Sequence, residues 1–233
     1  MADDDDLSVP DSGLPSGLRN LADQVKWVPV KSDDLKKLED ELANDAAIAI
    51  RNVGNDPSDY NRRSAVRTMF AFIEGMTFSL KAQCLVQYEQ GRSKFNEAEL
   101  AALRGITFGL DEGGHAKIRK IKPGLKVNAM FALRTYAKGL GPAVQIEFDG
   151  EEWQAFVNSI GVRNRITHPK SVEELSISYD EIRNLARGIR WFQGRLAETY
   201  AAYKESVARL AAAVGDALKS LSEIHGTSGQ NEE

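Results

Sequence analysis

Arg163, Asn164, Thr167 and His168 fall within one short stretch, GVRNRITHPK, at residues 161–170. An arginine keeps its charge at any ordinary pH and presents planar donors that fit a phosphate. A histidine titrates near neutral pH and can take or give a proton. The two types together suit phosphate chemistry, with fixed charge for a developing anion and an acid–base group for an oxygen that attacks or leaves. Pro169 follows. It disfavours α geometry at His168 and so ends a helix there. The negative end of a helix dipole also favours a cationic imidazole.

The element that must position these groups is a helix over residues 150–168. On a wheel with Ile160 at zero, Trp153, Phe156 and Val157 fall at about 20°, −40° and 60°. They mark a buried face. Arg163, Asn164, Thr167 and His168 fall at about −60°, 40°, −20° and 80°, and Arg165 at about 140°. Four polar side chains are therefore expected to extend the core stripe, with Arg165 facing solvent. Polar groups on such a stripe need partners or water, because burial without either costs several kcal/mol.

Other helices are expected at 33–52, 58–90, 97–111, 124–138 and 179–224. Three helix starts share one grammar: Asn96 with Glu99, Asp149 with Glu152, and Ser178 with Glu181. Each allows a capping box, and the flanking pairs Phe95/Leu100, Phe148/Trp153 and Ile177/Ile182 allow a hydrophobic staple. In the last helix apolar residues step by threes and fours from Ile182 to Leu221. A helix of that length is long for one compact domain. A bend near Gly188 or Gly194, self-association, or pairing with helix 33–52 would each accommodate it. Strand signals are thin, with a brief alternation in VQIEF at 144–148. The expected fold class is all-α.

Arg163-Asn164-x-x-x-His168 resembles the signature of the HEPN superfamily, the higher-eukaryote and prokaryote nucleotide-binding proteins. Its ribonuclease members carry Arg, four to six residues, then His, often with a polar residue after the Arg. The resemblance implies an up-and-down helical bundle over about residues 58–200, with helix 97–111 as an insertion. It implies a homodimer with paired sites in one cleft. It also implies RNA cleavage without a metal or other cofactor, by attack of the 2′-hydroxyl on the adjacent phosphate. His168 would be the acid–base group and Arg163 would stabilise the phosphorane, with Asn164 supporting. Many such members are toxins or phage-defence effectors held by a neutralising or effector protein partner. Others only bind or scaffold.

Other residues are weighed beside these. Thr167 lies on the same wheel face. Glu74, in the apolar run RTMFAFIEGMTFSL, could pair with Arg67 or reach Arg163. HAKIRKIKPGLK after Gly113–Gly114 carries Lys117, Arg119, Lys120, Lys122 and Lys126 without an acid. It reads as a basic loop that could touch phosphates. His115 and His225 lack partners at metal-ligand spacing, so no metal site is expected. The glycines at 105, 109, 113 and 114 do not form a phosphate loop. Cys84, the only cysteine, lies in an apolar run and reads as a buried, inert thiol.

The chain has 233 residues, 42% of them hydrophobic and 27% charged, which suits a globular fold. Its net charge of −4 excludes a global basic field, so any polyanion site must be local. No secretory signal or membrane span is read, and a cytoplasmic protein is expected. The expected organisation is a disordered acidic tail at 1–17, an arm and helix at 18–57, the bundle at 58–200, a helical extension at 201–225 and a disordered tail at 226–233. The competing readings are a non-catalytic all-α interaction or dimerisation protein, and an RNA-binding module that does not cleave.

Overall fold

The structure, a computed structural model, describes residues 32–140 and 145–227. The expected acidic tail, the arm at 18–31 and residues 228–233 lie outside the described residues, while residues 226–227, expected in the disordered tail, are the end of the last helix. The described elements are α1 (Ser32–Asn55), α2 (Asp59–Glu89), α3 (Glu97–Leu103), β1 (Ile106–Leu110), β2 (Ala116–Lys120), α4 (Leu125–Leu140), α5 (Gly150–Thr167), a 3-10 turn (Glu173–Leu175) and α6 (Tyr179–Thr227).

The described chain is a helical bundle built around α2. Val66, Met69, Phe70, Ile73, Leu80 and Leu85 of α2 are buried. They meet Leu133 and Tyr136 of α4, Phe156 of α5 and Phe192 of α6 in one core. Helix α2 is long and apolar enough to cross a membrane by length and composition, which the sequence reading had not found. Its position explains that composition, because α1, α4, α5 and α6 surround it. Helix α1 lies along α2 and reaches α6 through Tyr200, whose hydroxyl donates to Glu39 at 3.2 Å. Ser79 and Gln83 of α2 donate to the same carboxylate oxygen.

Two of the three capping boxes form in both directions. At α3, Glu99 N–H donates to Asn96 and Asn96 N–H donates to Glu99, both at 2.9 Å. At α6, Ser178 and Glu181 exchange the same pair of bonds. The Asp149 cap does not form. Gly150, the first residue of the helix, takes φ +76°, a left-handed conformation that redirects the backbone where the helix begins. The staple survives without the cap, with Phe148 edge-on to Trp153 at 5.3 Å.

The expected helix over 97–111 is replaced by α3 and a strand. Helix α3 stops at Leu103, and Gly105 turns the chain at φ +70°. The residues after it, Ile106, Thr107 and Phe108, are β-branched or aromatic and fit a strand. Strands β1 and β2 pair antiparallel, with Phe108 opposite Ile118 and Thr107 opposite Arg119. Asp111 closes the hairpin by accepting from the N–H groups of Gly113 and His115, each at 2.9 Å. The expected basic loop is thus, in its first half, a strand. No strand forms in the described residues of VQIEF.

Helix α6 runs unbroken for 49 residues, through Gly188 and Gly194. Gly188 serves a different purpose. A Cβ there would lie 2.5 Å from Cα of Phe156, so glycine is what lets α6 and α5 approach this closely.

Candidate functional site

The close contact with α6 sets which face of α5 is buried. Ala155 and Ser159 are small, and both are buried with Phe156 and Ile166. Ser159 satisfies its hydroxyl by donating to the Ala155 carbonyl at 2.8 Å. The buried face is therefore turned away from the one that the large apolar residues alone suggest. Asn164, Thr167 and His168 are exposed, and only Arg163 is half-buried. The expectation that all four extend the core stripe is corrected accordingly. They form an open polar rim at the C-terminal end of α5.

Within this rim Arg163 is held on two sides. Its Nη2 donates to Glu74 Oε1 of α2 at 2.7 Å, and its Nη1 donates to Asn164 Oδ1 at 3.2 Å. The Arg163 side chain is 29% exposed and that of Glu74 45%, so the pair remains in contact with water. Of the two partners open to Glu74, Arg163 is the one it meets. Thr167 donates its hydroxyl to the Arg163 carbonyl at 2.7 Å. That bond uses its one donor hydrogen, so towards a ligand the hydroxyl can only accept.

His168 is the C-cap residue, with φ −129° and ψ 58°. Its N–H donates to the Asn164 carbonyl at 3.1 Å. The departure from α geometry is what Pro169 requires. The imidazole makes no hydrogen bond or ion pair among the described residues. It is exposed at the C-terminal end of the helix.

Three arginines fix the chain around it. Arg67 of α2 donates to the Ile166 carbonyl at 3.2 Å, one of the last open carbonyls of α5. Arg63 donates to the Leu175 carbonyl at 3.3 Å. Arg165, expected to face solvent, is instead half-buried. It donates to the carbonyls of Glu174 and Ser176 at 2.8 and 2.7 Å and to Glu181 Oε1 at 2.6 Å. Glu181 therefore serves both the α6 cap and this clamp. The sequence reading missed Arg63, Arg165 and the second role of Glu181. Their partners are backbone carbonyls of an irregular segment, which periodicity does not locate.

Lys117, Arg119 and Lys120 are exposed on β2. No described hydrogen bond or ion pair joins them to Arg163 or His168. The hairpin packs at its base on α3. Cys84 is fully buried, and burial pushes its thiol up to about 12. Among the described residues, no three His, Cys, Asp or Glu side chains are grouped to hold a metal ion. No family model matches the chain, and no curated protein or solved structure matches it.

Proposed function

We propose that this chain is a HEPN-like endoribonuclease that acts through Arg163 and His168. The observation that carries the reading is the open rim at the end of α5. There a fixed cation stands five residues before an unencumbered imidazole, and neither is sealed in the core. His168 would accept the proton of the attacking 2′-hydroxyl or return one to the leaving 5′-oxygen. Arg163 would place its charge on the phosphorane while Glu74 holds its Nη2. Asn164, exposed and bonded to Arg163, would fix that orientation. The products would be a 2′,3′-cyclic phosphate and a free 5′-hydroxyl. The same reading makes the working unit a homodimer, with a second rim beside the first, and leaves room for a neutralising protein partner.

One observation favours a second reading, in which the chain is a non-catalytic interaction protein. Both terminal nitrogens of Arg163 already have partners, Nη2 on Glu74 and Nη1 on Asn164. On that reading the ion pair simply ties α5 to α2. Cleavage of RNA in EDTA separates the two readings. A nuclease loses about 100-fold or more in rate in both His168→Ala and Arg163→Ala. An interaction protein cleaves in none of the three forms.

A further inference from the structure

Charge is segregated along this chain in a way the rim does not use. From Gly113 to Ile146 there is no aspartate or glutamate, while Lys117, Arg119, Lys120, Lys122, Lys126, Arg134 and Lys138 all fall there. The chain as a whole is negative. That segment forms β2, the turn after it and α4. Lys117, Lys120 and Lys122 are exposed and make no ion pair among the described residues. Within the segment Lys138 is paired with Glu99, and outside it Arg163, Arg165 and Arg187 are paired with Glu74, Glu181 and Glu151.

The same region exposes apolar and aromatic surface. Phe108 on β1 is 50% exposed, and Val127 on α4 is 60% exposed. An open groove of about 380 Å³ runs beside α4, lined by Val127, Met130, Phe131, Arg134 and Lys138, with Glu99 at its edge. Cations and ring faces are interleaved here. Lys126 stands 5.7 Å over Trp153, and Arg134 stands 4.7 Å over Phe148.

We propose that the basic region made by β2, the turn after it and α4 is a docking surface for single-stranded RNA, separate from the Arg163–His168 rim. Lysines without carboxylate partners match a phosphate backbone. The exposed Phe108 ring and the apolar groove match unpaired bases, which offer a π-face that a duplex keeps stacked. Lys126 ties this face to Trp153 at the start of α5. From Trp153 to Arg163 the helix rises about 15 Å, so one strand can cover both places. The choice of RNA over DNA rests on the nuclease reading, whereas the preference for a single strand rests on this surface alone.

The test uses the full chain carrying His168→Ala, so that the strand stays intact, and a fluorescein-labelled uridine 20-mer read by anisotropy. The expected result is salt-sensitive binding that weakens at least tenfold in Lys117→Glu/Lys120→Glu/Lys122→Glu. Phe108→Ala is expected to weaken it about fivefold. The triple change should also flatten the slope of log affinity against log salt by about 2, at roughly 0.7 per lost phosphate contact. Should the charge reversal disturb folding by circular dichroism, the Lys→Gln triple replaces it with the same expectation. Undiminished binding in the folded variants would overturn the proposal. So would equal affinity for an RNA duplex, or equal displacement by polyglutamate, which would mark a surface for acidic protein. Variant-sensitive binding by a chain whose wild type never cleaves would defeat the nuclease reading and leave this one standing. Cleavage with variant-insensitive binding would do the reverse.

Discussion

His168 and Arg163 differ in how firmly they are held, and their variants should differ accordingly. Arg163 is bound to Glu74 and Asn164, while the His168 ring is held by nothing described. His168→Ala should leave stability within about 0.5 kcal/mol, as an exposed substitution does. Glu74→Gln should cost under about 1 kcal/mol, because both side chains of its ion pair still meet water. Urea unfolding measures both. Cys84 gives an independent check on the core. Burial disfavours its thiolate and pushes the thiol up to about 12, so almost none is ionised at pH 8. Iodoacetamide at pH 8 should leave the native chain unlabelled and label it once unfolded, as read by mass spectrometry. Fast labelling of the native chain would show that the core around α2 is open.

At the scale of elements, the packing of α5 on α6 decides where the rim points. Gly188→Ala would push a methyl group to 2.5 Å from the Phe156 backbone, where no side chain can swing aside. It should cost about 1–3 kcal/mol, measured by urea unfolding. The start of α3 is pH-sensitive. Burial raises the pKa of Glu99, but the Lys138 and Asn96 hydrogen bonds and the Lys138 charge together lower it below the ordinary carboxylate value. Its contribution is therefore present above the ordinary carboxylate pKa and is lost as pH falls through the lowered folded value. Glu99→Gln should flatten the acid limb of a stability–pH curve in that range. The caps at Asn96 and Ser178 were legible because a polar residue, a glutamate three on and a flanking apolar pair are all local. The hairpin was not. Leu100, Leu103, Ile106 and Leu110 step by threes and fours, so a helical period reads straight through Gly105, where the chain turns into a strand. The buried face of α5 was misread for a related reason. Ala155 and Ser159 carry the contact with α6, and a wheel weighted by large apolar residues gives them no vote.

On the scale of the whole molecule, α6 is the dominant feature. Its 49 residues extend about 73 Å at 1.5 Å per residue, well beyond the part that packs on α5. A homodimer is the arrangement that the nuclease reading requires. Light scattering on the eluting peak should return twice the chain mass of 25.7 kDa. The apolar period of the long helix was legible from sequence, but what it packs against was not, since a stripe carries no address. The residue pair at the end of α5 was legible as a pattern, and its openness was not. The measurement that bears most directly on it is cleavage of a mixed panel of structured and unstructured RNAs in EDTA by wild type, His168→Ala and Arg163→Ala. A nuclease of the proposed kind gives cyclic-phosphate ends with wild type and at least about 100-fold less product with each variant. Three equally inert, folded proteins, or cleavage that survives both substitutions, would contradict it.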